Sequence, residues 1–500
     1  MRLSDAAHLR MLAALAGQAG DPATPPKPAQ AMLAMGLNGL AARMAAETRL
    51  LDETRREIAG FADDLARLAP ALHADHGAAL DALAGSDDRP APRLTALAGA
   101  FLTLLDGIAA GLGSRGAVAA DGLPLLAAMA AREQAILMLR GKSLAAGTDA
   151  TDGDPLPFAA IEAAVAASES PPAFVVTSLE PISGGMSKTT FMLAALVDGE
   201  ERGLVVKQCI GPPLVELDCM EIGREFDMLA AIAPHLPFVP KPLWLGRDVA
   251  GSAGDFAIMA RCAGGSSASF LTLDSPLPEA LLRDIAAHIA RIHAVPSTAL
   301  GAFADRYGYV RPERTTVRAA VLERLEGWRQ AWLGFDRTPS PVEDYLFAWL
   351  KANAPANDAP PALIHGDMTP HNCLWIGESV TAVLDWECAH FGDPAEDLAY
   401  IRMHVEQRID WRAFLDHYWA AGGVQFDPAV LDYYTCYLNF RTVLLANVMV
   451  TAGERGHSLD PRLMMIDRDF TGMLVSLCLD ASRRHDARAA DEAARQLQTA

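Results

Sequence analysis

Apolar side chains recur at Leu33, Leu37, Leu40, Met44, Leu51, Ile58, Phe61, Leu65 and Leu68. Steps of three, four and seven trace one face of a long amphipathic helix. Pro70, Gly85-Ser86, Gly113-Ser114 and Pro124 interrupt further helical stretches. The pattern predicts an all-α domain over residues 1–146, a bundle of four or five helices. It holds no His/Cys cluster and no Gly-rich phosphate loop. Its expected role is docking, to a partner or to a second copy in a homo-oligomer.

Gly147-Thr148-Asp149-Ala150-Thr151-Asp152-Gly153-Asp154-Pro155 is polar and Gly/Pro-bearing, which predicts a linker over 147–158. The period then changes from helical to alternating. Strands are expected over Ala173–Ile182, Thr189–Val197 and Gly203–Lys207, with turns at Ser183-Gly184-Gly185-Met186-Ser187 and Gly199-Glu200. A helix follows around Glu225-Phe226-Asp227-Met228-Leu229, and two more strands end at Ala257-Ile258-Met259. Beyond Pro276 the chain turns mainly helical. Sheet first and helices after predicts an α+β protein of two lobes, 159–262 and 263–485, with a C-terminal tail of 486–500.

The net charge of −20 is uneven: residues 151–400 hold 33 acidic and 17 basic side chains, −16 of the total. Such a surface disfavours nucleic acid and anionic lipid, and its plainest use is solubility. The seven cysteines form no Cys-x-x-Cys pair, which argues against a disulfide framework or a zinc site and fits a reducing, cytoplasmic setting. No apolar run approaches ~18 residues, so no membrane span is expected, and the start of the chain lacks a signal-peptide apolar core.

The chemistry concentrates in Leu363-Ile364-His365-Gly366-Asp367-Met368-Thr369-Pro370-His371-Asn372 and Val383-Leu384-Asp385-Trp386-Glu387. An apolar strand delivers Asp367, Asn372 comes five positions later, and Asp385 ends a second apolar strand. Lone Asp and Asn residues form turns, but this spacing suits phosphoryl transfer. Asp367 would orient a substrate hydroxyl and take its proton, while Asn372 and Asp385 offer hard oxygen ligands to Mg²⁺ on a nucleotide. Lys207 closes a strand after the Gly184-Gly185 turn and before the helix bearing Glu225, the order expected of a phosphate-binding lysine and its carboxylate partner. Glu221, one helical turn away, competes for that partnership. Ser187-Lys188-Thr189 is not a P-loop, because Ser187 stands where Gly is required and a strand follows where a helix is needed.

His365-Gly366-Asp367 with Asn372, Leu384-Asp385-Trp386-Glu387, and Phe391-Gly392-Asp393-Pro394-Ala395-Glu396-Asp397-Leu398-Ala399 resemble, in order, three motifs of the aminoglycoside phosphotransferase/choline kinase-like superfamily. The resemblance covers roughly residues 170–480. It implies a protein-kinase-like fold, ATP and Mg²⁺, with Asp367 catalytic, Asn372 and Asp385 holding metal, and Glu387 a candidate for a second metal. Ser183-Gly184-Gly185-Met186-Ser187 resembles the family's phosphate turn, adding Gly184, Gly185 and Ser187 to the nucleotide set with Lys207 and Glu225. Met259-Ala260-Arg261-Cys262-Ala263-Gly264 resembles the hinge, placing Met259 and Arg261 near adenine. His365 and Gly366 read as scaffold, Asp393 and Asp397 as a helix cap or loop brace, and His371 and His390 as structural.

Ile289-Ala290-Arg291-Ile292-His293-Ala294-Val295 and Leu322-Glu323-Arg324-Leu325-Glu326-Gly327-Trp328 resemble kinases that act with, or are fused to, acyl-CoA dehydrogenases. That branch implies a hydroxyacyl-CoA acceptor and a dehydrogenase-type partner. The last hundred residues are nearly balanced, with 13 acidic and 11 basic side chains, and carry Arg402, Arg408, Arg412, Arg441 and Arg455. That balance suits an anionic acceptor better than a polycation. Two other readings stand: an aminoglycoside or small-alcohol kinase, and a pseudokinase scaffold that binds a partner through its N-terminal helices.

Overall fold

The computed structural model describes residues 55–67, 70–84, 156–182, 188–209, 221–266, 277–333, 341–454 and 471–499. The Gly184, Gly185 and Ser187 turn, the 147–155 linker and the helical positions from Leu33 to Leu51 lie outside these residues. In chain order the helices are α1 (Pro70–Ala84), α2 (Phe158–Ala166), α3 (Ile222–Ile232), α4 (Glu279–His293), α5 (Gly301–Tyr307), α6 (Val317–Leu333), α7 (Pro341–Ala352), α8 (Pro394–Val405), α9 (Trp411–Ala420), α10 (Val430–Glu454) and α11 (Thr471–Thr499). The strands are β1 (Phe174–Ile182), β2 (Thr189–Val197), β3 (Glu200–Gln208), β4 (Pro242–Gly246), β5 (Phe256–Ala260), β6 (Ala362–Ile364), β7 (Cys373–Ile376), β8 (Ser379–Val383) and β9 (His390–Gly392).

The chain forms two compact units, one of residues 151–326 and 355–435, the other of 1–150, 327–354 and 436–500. Two segments that the sequence reading assigned to the C-lobe, 327–354 and much of 436–485, thus cluster with the N-terminal region. In that second unit residues 55–67 are helical and bury Ile58, Phe61 and Leu65 completely, as their spacing predicts. Asn447 donates to Glu343 Oε1 at 2.6 Å, and the Trp349 indole donates to the Asp486 carboxylate at 3.1 Å.

The first unit holds a five-stranded antiparallel sheet in the order β1-β2-β3-β5-β4. Strand β2 has the bounds its alternation predicts, while β3 starts three residues earlier than expected, at Glu200. Asp198 and Gly199, both at positive φ (51° and 83°), close the β2–β3 hairpin, a conformation favouring short polar residues and Gly. Helix α2, unforeseen in the sequence, covers one sheet face. Its Ala160, Ile161, Ala164 and Val165 pack with Val176, Phe191, Leu193, Leu204, Val206, Phe256 and Ile258. Glu162 Oε1 accepts the Val176 N–H at 2.9 Å, where β1 shifts register against β2.

Alternation along β3 places Leu204 and Val206 in this core and turns Lys207 to the opposite face. After β5 the chain is mainly helical, interrupted by the β6–β9 and β7–β8 pairs. The predicted α+β class and the sheet-then-helix order therefore hold.

Candidate active site

Lys207 Nζ donates to Glu225 Oε1 at 2.6 Å and to Asp385 Oδ1 at 2.7 Å. Strand β3, helix α3 and the end of β8 thus converge on one ammonium. Burial alone would lower the Lys207 pKa, but Asp385, Glu225 and Glu387 outweigh it and hold it well above the ordinary value. Burial likewise acts against ionised Asp385, yet Lys207 and Lys188 keep its carboxyl down at about 2. Asp385 is therefore a carboxylate at neutral pH. Glu221, the competing acid, instead lies 4.0 Å from Arg247.

Lys188 joins the same cluster, although the sequence reading gave it no role. Its ammonium is bonded to Glu387 and lies 3.6 Å from Glu225 Oε2. Burial, with Asp385 nearby, pushes the Glu387 carboxyl up to about 7 against the pull of Lys188 and Lys207. Glu225, Asp385 and Glu387 each place an oxygen within 4.8 Å of the others. The only sequence signal for Lys188 was its place beside the Gly-Gly turn.

Asp367 is held from within its own loop. Asn372 Nδ2 donates to the Asp367 carbonyl and to Asp367 Oδ2, both at 2.9 Å. This commits the amide nitrogen and leaves Oδ1 as the group Asn372 can offer elsewhere. The Leu384 N–H donates to the Asn372 carbonyl at 2.7 Å, joining the loop to the strand that ends at Asp385. His365 is fully buried. Its Nε2 lies 2.8 Å from the Leu384 carbonyl, and the Asp367 N–H donates to its Nδ1 at 3.3 Å. A single tautomer, protonated on Nε2, satisfies both contacts. Gly366 has φ +75°, and a Cβ there would lie 2.3 Å from the Cys388 carbonyl oxygen. Both conditions require Gly.

Asp397 braces the loop from helix α8. Its carboxylate accepts the His365 N–H at 2.7 Å and the Gly366 N–H at 2.8 Å. His293 Nε2 lies 3.1 Å away, and His293 Nδ1 lies 2.9 Å from the Tyr418 hydroxyl. Burial would raise the Asp397 pKa, but His293 and the loop N–H groups hold it below the usual carboxylate range. Asp393 caps α8 by accepting the Ala395 N–H at 2.9 Å, with Pro394 in the first turn. His390 is buried beside Glu396. His371 lies 3.1 Å from the Thr369 hydroxyl and faces His404. Burial and His371 push His404 down to about 4.

Met259 is buried in β5 opposite Val205, and exposed Arg261 runs past Gly203 of β3. Beyond them Gly264 has φ +110°, and Gly265 exchanges backbone hydrogen bonds with Trp375 at 3.1 and 3.2 Å. The segment after β5 is therefore tied to the β7–β8 hairpin. Of the C-terminal arginines, Arg402 pairs with Glu406 at 3.0 Å and Arg412 with Asp416 at 3.1 Å, and Arg441 is buried. Arg455 lies outside the described residues.

A chicken (Gallus gallus) protein, acyl-CoA dehydrogenase family member 11, is 28% identical over 233 residues, 45% of this chain and 27% of that protein. The mouse (Mus musculus) acyl-CoA dehydrogenase family member 10 is 28% identical over 185 residues, 36% of this chain and 16% of its own length. The chain thus spans about a quarter or less of these relatives. Among solved structures, a macrolide 2'-phosphotransferase from Brachybacterium faecium aligns with 60% of this chain and 94% of its own, at 21% identity and TM-score 0.41. The phosphotransferase enzyme family matches residues 178–434, from β1 through the loop of Asp367 to the start of α10. With more than half its length in that match and the loop, lysine and carboxylates gathered as described, the chain belongs to the phosphotransferase enzyme family.

Proposed function

We propose that this protein transfers the γ-phosphoryl group of ATP to a hydroxyl of a small molecule. The observation that carries the reading is the convergence of Lys207, Glu225 and Asp385 beside a loop that holds Asp367 through Asn372. Asp367 accepts the proton of the acceptor hydroxyl as its oxygen attacks the γ-phosphorus, and ADP leaves. Lys207, kept charged by its two carboxylates, and the Gly184-Gly185-Met186-Ser187 turn bind the phosphates. Met259, Arg261 and their backbone border the adenine. The donors fit Mg²⁺: Asp385 is ionised, and Asn372 has its amide oxygen uncommitted by the bonds its nitrogen makes. Bound there with Asn372 and Asp385, the ion would neutralise phosphate charge. Glu387 is a further ligand candidate.

For the acceptor we favour a hydroxyacyl-CoA or related hydroxylated acid derivative, made available to, or consumed by, an acyl-CoA dehydrogenase-type partner. The relatives named for that family and the near-balanced charge of residues 401–500 support it. The ion pairs of Arg402 and Arg412 remove those two side chains from the argument. The −16 balance of residues 151–400 favours the competing acceptor, an aminoglycoside. We place residues 1–146 as a helical docking domain joined through 147–158. The described cysteines are unbridged, which suits a cytoplasmic setting, and no described helix is long and apolar enough to cross a membrane.

The test is ATP turnover with Mg²⁺ against hydroxyacyl-CoA esters, aminoglycosides and simple alcohols at matched ionic strength. The highest kcat/KM is expected for a CoA ester. A clear preference for aminoglycosides overturns the acceptor and leaves the kinase standing. No transfer to any acceptor, with Mg·ATP still bound, favours the scaffold reading.

A further inference from the structure

Arg224 is the largest fully buried charged side chain among the described residues, 2% exposed, and none of the described carboxylates pairs with it. Its donors go elsewhere. Nη2 donates to the Ala389 carbonyl at 2.6 Å, Nη1 to the Glu387 carbonyl at 3.1 Å, and Nε to the Tyr309 hydroxyl at 3.0 Å. The guanidinium carbon lies 5.5 Å from the ring centres of both Phe303 and Tyr309, which stack 10° from parallel. Phe391 meets both rings edge-on.

Burying a guanidinium without a counter-ion is costly. Here two carbonyl dipoles, a phenol and two ring faces offset that cost, and the planar fork matches this arrangement as an ammonium could not. The carbonyls belong to the turn that follows Asp385 and includes Glu387. Arg224 itself adjoins Glu225 on α3, and neighbours on a helix point about 100° apart. One helical turn therefore sends Glu225 to Lys207 and Arg224 to the backbone beside Asp385.

We propose that Arg224 is a positioning residue for the phosphoryl-transfer site, a clamp that locks the 386–389 turn to helix α3 and so sets Asp385 and Glu387 against the Lys207–Glu225 pair. The clamp rests on the phosphotransferase reading for its purpose but not for its geometry. Asp385 needs such support. It sits at φ +64° in the left-handed region, which Asp tolerates better than most non-Gly residues but which still costs free energy that its surroundings must offset. Its neighbour Trp386 is fully buried and donates its indole N–H to the Val383 carbonyl at 2.9 Å, holding the turn from the other side.

The experiment compares wild type, Arg224→Met and Arg224→Lys in three measurements: hydrogen exchange of the peptide spanning 385–390, thermal midpoint, and ATP turnover against Mg²⁺ concentration. Arg224→Met keeps an unbranched apolar stem and removes the buried charge along with its bonds, so the chain is expected to stay folded. Exchange across 385–390 should rise selectively, and kcat/KM should fall about 10–100-fold, as when support behind a metal ligand is lost. The Mg²⁺ requirement should shift upward. Arg224→Lys, able to reach one carbonyl, should recover part of the protection. Unchanged exchange at 385–390 in folded Arg224→Met overturns the proposal. If Arg224→Met does not fold, Arg224→Lys decides it: wild-type protection there overturns the clamp, and raised exchange supports it. Absence of turnover in wild type refutes the kinase reading separately, because exchange still reports on the clamp.

Discussion

Lys207 and Asp385 meet at 2.7 Å, yet the backbones that deliver them are held by different forces. Lys207 rides on a regular strand. Its ladder partners are Thr190 and Ala257, and the face behind it is an apolar core shared with α2. Many small, interchangeable contacts set its position. Residues 365–397 are short strands, two 3-10 turns and the start of α8, joined by irregular loops. Buried His365, Asn372, Asp393 and Asp397 hold them through specific hydrogen bonds, with Gly366 and Asp385 at positive φ. Its joints rest on hydrogen bonds that each have a particular partner, beside the packing of buried Trp386 and Phe391. Substitutions in the sheet should therefore cost stability in proportion to lost volume. Substitutions in the loop should damage the chemistry, the pH dependence or both.

The strongest challenge to this contrast is Asp367→Asn. Turnover should fall about 10²–10⁴-fold, the usual contribution of a general base. Asn still accepts from Asn372, so thermal stability and Mg·ATP affinity should stay near wild type. Calorimetric binding beside steady-state turnover checks this, and near-normal turnover would remove Asp367 from the mechanism.

Next in size is Asp385→Ala, which should abolish Mg²⁺-dependent nucleotide binding. It also places Ala in the left-handed region, a further cost of about 1–2 kcal/mol. A variant that binds Mg·ATP as tightly as wild type would show that Asp385 is no ligand.

Asp397→Asn should lower stability by about 1–3 kcal/mol, the cost of leaving a buried donor without its acceptor, and reduce turnover through the loop. Folding lowers the Asp397 pKa, so its contribution is present above the ordinary carboxylate value of about 3.9. That contribution is lost as pH falls through the depressed native value. Denaturant melts from pH 7 to 3 should show the wild-type advantage shrinking at the acid end. An advantage independent of pH would mean that Asp397 acts by shape and not by charge.

The smallest effect sharpens the sheet side. Ile258→Val in β5 should cost about 0.5–1.5 kcal/mol with kcat unchanged. A large loss of kcat would show that the sheet core is tuned to the site as finely as the loop.

Legibility followed the same division. Alternation and turn residues yielded the β2 bounds, the sheet-then-helix order and the strand carrying Lys207, because burial on a pleated sheet repeats every two residues. The spacing of Asp367, Asn372 and Asp385 was readable because the motif is short and its loop closes on itself through Asn372. The cover provided by α2 was missed, since an Ala-rich helix of nine residues after a polar linker signals little on its own. Lys188 and Arg224 were missed for a related reason. Lys188 reaches across 199 residues to Glu387, and Arg224 across 163 to the Glu387 carbonyl.

By itself, then, the sequence determined the elements whose stabilising contacts lie within a few residues or repeat with a period. It also determined the chemical types present at the loop. Tertiary structure alone decided which charges share Lys207, which carbonyls receive Arg224, and which N–H groups Asp397 holds. Those choices depend on chain segments brought together by the fold, and a buried charge is set by partners that no local pattern names.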